Sequence, residues 1–424
     1  MPTDAAHAIL DALEAEGVEW FFNLPGNGLA PVLEALFDYQ ALRYVLAVHE
    51  GPLVAMADGY ARASGKVGFA NVYMVPGTAN ALSSIYTAYR DRSPLVVTSS
   101  QQSRRTVGTD AYGSTHDLAG AMREFTKWSW EVTEAGRLAE ALHRAFKVAA
   151  TPPQGPVFLA LPSDVIAAEG DSSVNEPSRP SKVPLAGGLV PARVENIVEL
   201  FARAERVLII CGQDVRLNGA VEAVEKLADK VGAAVVSEPW NGLVAFPKPH
   251  RLGFGEYNPD VLERIRPDLI VSLGARMFVE ALGAPEPAFP TGTTLVALGQ
   301  SSNDIGQQFA ADVAAVCDVR VAVEQILDAC HGSIEERARH QRLREIDTYQ
   351  REIATDREQM LTDQYTRSPM AISRLAAELN TVVDADTVVV EQATTSGGML
   401  RAMADQLHPY NWLGTGGSVQ GWAM

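Results

Sequence analysis

The sequence predicts an α/β protein built from doubly wound parallel sheets in three layers. Three observations carry that expectation. From residue 1 to about 168, short β-branched runs alternate with segments of helical spacing. The alternation restarts at Ala192 and again near residue 369. Strands separated by helices pair in parallel, because each crossover helix returns the chain to the same edge with helices on both faces. At 424 residues the chain is too long for one ordinary core, so two or three domains are expected.

In the first unit, 1–168, strands are expected at 20–22, 44–48, 67–72, 95–99 and 157–161, with helices between them, one over 135–150. The run Tyr44-Val45-Leu46-Ala47-Val48 reads as a buried strand. Gly51-Pro52 then punctuates, and Pro suits the first turn of a helix. Leu53, Val54, Ala57, Tyr60 and Ala61 recur at helical spacing as far as Gly65. Glu50 therefore sits where a strand gives way to a helix. Ligands of open α/β sheets bind beyond such carboxyl ends. The next strand runs into Tyr73-Met74-Val75-Pro76, and a helix is expected from about Gly77-Thr78. Residues 169–190 are rich in Pro, Ser and Gly without periodicity, which marks a linker.

A second unit, 191–330, carries helices over 193–204 and 218–231 and strands at 207–210, 234–236, 269–273 and 295–298. No GxGxxG follows any of its strands, so a dinucleotide site has little support. Residues 331–368 are densely charged and read as a solvated helical linker. A third unit, 369–424, opens with a helix over 369–379 and a strand at 387–390, and the sequence stops with a strand-to-helix unit under way.

Composition excludes several classes. Thirty-five basic against 52 acidic residues give a net charge of −17, which repels phosphate backbones and disfavours nucleic acid as a partner. Cys211, Cys317 and Cys330 lie far apart without metal-ligand spacing, as in a reducing compartment. No apolar run approaches the roughly 20 residues of a membrane span. The first 17 residues form an acidic amphipathic pattern rather than a signal peptide. A cytoplasmic location, with no membrane partner, is the expectation.

The stretch HEGPLVAMADGYARASGK at 49–66, with PGNG at 25–28, PGTAN at 76–80 and SPLVVTSSQQ at 93–102, resembles the thiamine diphosphate enzymes of the benzoylformate decarboxylase and acetolactate synthase family. The four pieces occur in the family's order, and the likeness extends more weakly to the last residue. The resemblance implies a pyrimidine-binding domain at 1–168, a Rossmann-like central domain at 191–330 and the start of a diphosphate-binding domain at 369–424. The family's Gly-Asp-Gly motif and downstream Asn, which hold a divalent metal such as Mg2+, have no counterpart here. The chain therefore reads as C-terminally truncated relative to the family, with the metal ligands expected beyond residue 424 and weak cofactor binding by this chain alone.

The resemblance assigns Glu50 to the aminopyrimidine. There a glutamate favours the imino tautomer, whose nitrogen removes the thiazolium C2 proton. A carboxylate desolvated against an apolar ring can exchange that proton near neutral pH. By itself Glu50 reads first as a carboxylate stabilising a helix N-terminus. Pro25, Gly26 and Asn27 belong by resemblance to a loop lining the site, with Asn27 where benzoylformate decarboxylase has a serine; alone they make a turn. Thr78 and Asn80 fall at a helix N-terminus, where they either meet the cofactor or cap the helix.

Tyr73 stands where benzoylformate decarboxylase has an acid–base histidine. A tyrosine donates a hydrogen bond but shuttles protons poorly near neutral pH. Gln101 corresponds to a glutamine that faces the intermediate in acetolactate synthase, and an amide orients without relaying protons. His116 is the remaining proton-transfer candidate, with Asp117 beside it to set its tautomer; a surface capping segment is as good a reading. Thr394 and Thr395 precede an expected helix and suit a phosphate. Gly417 and Gln420, in GGSVQG, resemble the strip that contacts the aminopyrimidine, although Gln420 stands where the family has a bulky apolar residue.

The resemblance thus implies an enzyme that decarboxylates a small 2-oxo acid using thiamine diphosphate. An acetolactate synthase-like carboligase and a catalytically incomplete fragment or pseudoenzyme acting only in assembly are the alternatives. It also implies a homodimer or homotetramer whose sites are shared between subunits.

Overall fold

The computed structural model describes residues 4–169, 187–239, 242–277, 289–416 and 421–423. The chain divides into two compact units, Met1–Pro184 with Gly416–Met424, and Leu185–Thr415.

The first unit holds strands β1 (Trp20–Asn23), β2 (Arg43–Leu46), β3 (Gly68–Tyr73), β4 (Leu95–Gln101), β5 (Trp128–Glu131) and β6 (Pro156–Pro162). Its helices are α1 (Ala5–Ala15), α2 (Ala30–Ala35), α3 (Glu50–Ser64), α4 (Met74–Asp91), α5 (Leu118–Ala121), α6 (Leu138–Ala150) and α7 (Ser163–Ile166). The strands form one sheet in the order β2-β1-β3-β4-β6-β5, and every neighbouring pair is parallel. Successive side chains leave a strand on opposite faces. Phe21, Phe69, Val96 and Val157 accordingly pack with residues of α1 and α6. Phe22, Ala70, Val97 and Phe158 pack with Leu53, Val54 and Ala57 of α3 and Ile85 and Ala88 of α4. Two apolar faces on one sheet give the three layers that the alternation predicts.

Two local expectations change. The run at 44–48 is an edge strand, not a buried one. Over Arg43–Leu46 it pairs with β1 alone; Leu46 is 62% exposed, and Val48, past the strand's end, 97%. An apolar run shows that a segment is extended; whether a second neighbour covers it is decided elsewhere in the chain. β5 escapes the sequence reading because its sequence, WSWE, is short and half-polar. It too lies at a sheet edge.

A buried polar layer crosses the sheet. The Asn71 amide donates to Asn23 Oδ1 at 2.8 Å, Thr98 donates to Asn71 Oδ1 at 2.9 Å, and the Asn23 amide donates to the Tyr44 hydroxyl at 3.1 Å. Asn23, Asn71 and Thr98 interrupt apolar strands at one aligned register position, and each is satisfied by a neighbour, as burial requires.

The second unit contains β7 (Val207–Cys211), β8 (Ala234–Ser237), β9 (Gly253–Glu256), β10 (Leu269–Leu273), β11 (Thr294–Gly299) and β12 (Val313–Val316), in the all-parallel order β12-β11-β10-β7-β8-β9. Helices α8 (Pro191–Arg203), α9 (Gln213–Leu217), α10 (Val221–Val231), α11 (Pro259–Ile265) and α12 (Val319–Ala329) accompany it. The charged segment forms one long helix, α13 (Glu336–Gln364). Its buried Arg342 donates to the carbonyls of Val231 and Phe201 at 2.7 and 2.9 Å. Beyond it lie α14 (Ile372–Asn380), β13 (Val389–Val390), α15 (Gly397–Met403) and β14 (Trp412–Leu413). Lys248 ties this last stretch down by donating to the carbonyls of Arg401 and Ala404, at 3.2 and 2.6 Å. Burial pushes its ammonium down to about 7.

In the second sheet the strand order reverses between β7 and β10, where an α/β sheet has its crevice. Here, among the described residues, the backbones come close together. Gly212 abuts the Gly274 carbonyl and the Ala275 backbone, and Asp214 Oδ2 accepts the Gln300 N–H at 3.0 Å. A methyl group on Gly212 would overlap backbone atoms, which cannot rotate away. Gly212→Ala is expected to destabilise this unit by about 1–3 kcal/mol, the range for overpacking a tight core. A urea-denaturation midpoint equal to wild type would contradict this packing.

Candidate functional site

The first sheet reverses its strand order between β1 and β3. The chain leaves β1 toward β2 on one side and returns to β3 on the other, so the loops after β1 and β3 diverge and leave a crevice. Both loops carry residues singled out by the sequence. Gly26 lies directly on the Tyr73 ring, and a Cβ there would overlap it. Glycine is thus required by close approach, not by backbone angle. Pro25 and Asn27 are exposed, and Tyr73 is half-buried.

Glu50 is the first residue of α3 and is 7% exposed. His49 precedes it in extended conformation and caps the helix, its Nδ1 accepting the Gly51 N–H at 3.1 Å. Glu50 Oε2 accepts the Asn80 side-chain amide at 3.0 Å. Its other oxygen, Oε1, has no hydrogen-bond donor among the described residues. Gly77 leaves the space beside it, since a Cβ on that residue would stand 2.8 Å from Oε1. The carboxylate is therefore anchored at one oxygen and open at the other, at the positive end of a helix.

The helix after β3 begins three residues earlier than expected, at Met74. Met74 has φ of +50°, a left-handed conformation that costs a non-glycine residue about 1–3 kcal/mol. Neighbours hold it there. Its carbonyl accepts the Thr78 hydroxyl at 2.7 Å and the Ser99 hydroxyl lies 3.2 Å away. Thr78 thus bonds back to Met74 instead of capping α4 or facing outward. Buried Gln101 donates its amide to Ser99 Oγ at 3.0 Å. This network sets the bend between Tyr73 and the first turn of α4.

Beside Gln101 opens a cavity of about 530 Å³, lined by Gln101, Thr106, Ser114, His116 and Glu131 among others. Burial, with Asp117 nearby, raises the Glu131 carboxyl above its ordinary value. His116 is exposed. Asp117 does not set its tautomer: Asp117 caps α5, accepting the Gly120 N–H at 2.6 Å, and no hydrogen bond joins it to His116. A carboxylate just ahead of a helix serves the orphan N–H groups first.

Thr394 and Thr395 belong to the second unit, exposed in the bend before α15. Gly417 and Gln420 lie outside the described residues. The sequence reading missed the pairing of Asn80 with Glu50 and the spacer role of Gly77. The PGTAN motif contains both residues, but a contact 30 positions away leaves no trace in spacing.

Similarity to known proteins follows this geometry. Residues 3–122 match the family described as thiamine pyrophosphate enzyme, N-terminal TPP binding domain, and residues 194–326 match its central domain. A Methanocaldococcus jannaschii protein named "Probable acetolactate synthase large subunit" is 31% identical over 337 residues, covering 76% of this chain and 56% of that protein. Benzoylformate decarboxylase from Pseudomonas aeruginosa is 30% identical over 333 residues, covering 77% of this chain and 62% of the relative. The chain thus spans little more than half the length of these relatives. A Mycobacterium smegmatis structure titled as a "putative thiamin diphosphate-dependent enzyme" superposes with a TM-score of 0.82 at 25% identity, over 100% of this chain and 78% of that one. Benzoylformate decarboxylase from Polynucleobacter necessarius, at 23% identity and TM-score 0.82, over 99% of this chain and 75% of that one, shares the fold. With both domains matched in order and the two parallel sheets superposed, this chain belongs to the thiamine pyrophosphate enzyme family.

Proposed function

We propose that the protein is a thiamine diphosphate-dependent enzyme that decarboxylates a 2-oxo acid. The observation that carries this reading is Glu50, a buried carboxylate with one oxygen held by Asn80 and the other open. Oε1 receives no donor from the described residues and is not sealed off, so the site fits a flat heterocycle that presents an N–H to it. Glu50 would hold and release the proton at that atom. Asn80 fixes the carboxylate's orientation, Gly77 keeps its open side clear, and Gly26 with Tyr73 forms a wall. Thiamine diphosphate, when bound with its divalent metal, supplies the electron sink for the carbanion left by decarboxylation. Gln101 would orient the substrate, and His116, in the adjoining cavity, is the proposed acid–base group.

Tyr73 favours a second reading. A tyrosine is a poorer proton shuttle than a histidine, so Tyr73, with Gln101 orienting substrate, would favour joining to a second carbonyl compound over proton delivery. That is the carboligase outcome. Incubating the protein with pyruvate or benzoylformate and analysing the products separates the two: aldehyde and CO2 for a decarboxylase, a hydroxyketone or acetohydroxy acid for a carboligase. No consumption of either 2-oxo acid would contradict both.

We further propose a homodimer or homotetramer. Met56, Tyr86 and Tyr89 of α3 and α4 are 36%, 39% and 43% exposed, large apolar side chains that a second copy would cover. Sedimentation of a monomer at micromolar concentration would refute this.

Gly77→Ala tests the open side of Glu50. Alanine gains helix propensity worth up to about 1 kcal/mol, so stability changes little. Its methyl group displaces the carboxylate, and a displacement of about 1 Å can cost roughly 10²-fold in rate. The expected variant is a well-folded enzyme of much reduced turnover. Wild-type turnover would show that the space beside Oε1 has no function.

A further inference from the structure

The cavity of about 530 Å³ beside Gln101 is walled by the turns that join β4 to α5 and by the end of β5. Its volume suits a small substrate. Turn hydroxyls there bond back to carbonyls three residues earlier. Thr106 donates to the Ser103 carbonyl at 2.7 Å, Thr109 to the Thr106 carbonyl at 2.7 Å and Ser114 to the Ala111 carbonyl at 2.6 Å. A hydroxyl has one hydrogen and two lone pairs. With the hydrogen given to the backbone, each of these side chains can only accept.

The amides and the carboxylate in the lining add to this. Gln101 directs its Nε2 to Ser99 Oγ at 3.0 Å, and Gln102 directs its own to the Tyr112 carbonyl at 2.7 Å. Oε1 of each receives no donor from the described residues, nor does the half-buried Glu131 carboxylate. Arg104 directs its Nε to Asp164 at 2.9 Å and its Nη1 to the Thr133 carbonyl. Side-chain donors remain chiefly at Ser103, Thr115 and His116. The lining therefore offers acceptors in excess. No aromatic ring stands among the described residues that line it.

We propose that this cavity selects a substrate bearing hydroxyl groups on the part remote from its 2-oxo acid, over an alkyl or phenyl body of the same size. This rests on the 2-oxo acid reaction proposed above. A ligand hydroxyl meets the acceptors, whereas a methyl group or a phenyl ring would bury them without donors, which is costly. An ammonium would face the Arg104 guanidinium. A carboxylate would find that guanidinium already paired with Asp164, so the acid end of the substrate belongs outside the cavity.

The test titrates the protein, in thiamine diphosphate and Mg2+, with 3-hydroxypyruvate and with 2-oxobutanoate, which differ by a hydroxyl against a methyl group. Kd is read from ligand line broadening by NMR, and kcat/KM from release of CO2. In wild type, 3-hydroxypyruvate should bind about tenfold more tightly, what one well-made hydrogen bond gives. In the double variant Thr106→Val, Ser114→Ala the ratio should fall to about one. Thr106→Ser, which keeps the acceptor, should retain the preference. Equal Kd values in wild type, binding of neither acid, or an unchanged ratio in the double variant would each overturn the hydroxyl selectivity. Consumption of both acids at equal kcat/KM leaves decarboxylation standing without it. A preference in Kd with no consumption of either acid has the opposite meaning: the cavity's selectivity holds and the reaction does not.

Discussion

Glu50→Gln is expected to lower turnover by roughly 10²–10⁴-fold, the usual loss when a positioned proton-transfer group is removed. The substitution removes the exchangeable proton and the negative charge while keeping the shape. Glutamine has the same shape, and its amide oxygen can take the place of Oε2, still accepting from Asn80. The amide nitrogen then occupies the open side beside Gly77. It can donate a hydrogen bond, but it cannot take up and return a proton. Folding stability should change little, since only a helix-terminal charge worth about 0.3–1 kcal/mol is removed. The measurement is C2-proton exchange on bound thiamine diphosphate, followed by NMR in deuterated solvent. Exchange at the wild-type rate would leave Glu50 a structural carboxylate of α3 and remove the basis of the proposed mechanism.

How much of this site was legible in the sequence depends on the range of the interaction. Glu50 was legible because its position is local: an apolar run before it, Gly51-Pro52 after it, then helical spacing. The order of the crevice loops was legible for the same reason, as PGNG follows one strand and PGTAN another. What holds Glu50 was not. Asn80 comes 30 positions later, and before folding its amide is as good a helix cap as a carboxylate partner. Thr78 shows the ambiguity resolved the other way, toward Met74, because the left-handed bend there brings that carbonyl within reach of its hydroxyl.

The edge strand at 43–46 failed for a different reason. Its apolar residues would satisfy either a covered or an uncovered position, and only the strand order decides. Asp58 and Arg62 were the least legible. In the helical pattern of α3 they read as polar positions, yet their side chains are buried against α4 and Trp422. The context that buries them lies in the last residues of the chain.

Arg62→Met is expected to cost about 3–5 kcal/mol near neutral pH, because it leaves the buried carboxylates of Asp58 and Asp91 without the guanidinium that donates to Asp91 Oδ2 at 3.2 Å. The side chains of Arg62 and Asp91 are 3% and 1% exposed, so water screens neither. Methionine fills similar volume and keeps an apolar contact with Trp422, so most of the loss reports charge. The pH dependence separates this cause from a cavity. Burial raises Asp58 above its ordinary value of 3.8, and Arg62 works against that rise. A raised carboxyl binds protons more tightly folded than unfolded. Its contribution to stability is therefore fully present below 3.8 and is lost as pH climbs through the folded value. Without Arg62 the folded value climbs further, so the lost stability is greatest at pH 7 and shrinks on acidification as Asp58 takes its proton. A cavity would cost the same at every pH. Urea unfolding of both proteins at about pH 7 and pH 5, read by tryptophan fluorescence, decides between them. A deficit under about 1 kcal/mol at pH 7, or one that grows toward pH 5, would show that the cluster is not held together by the charge of Arg62.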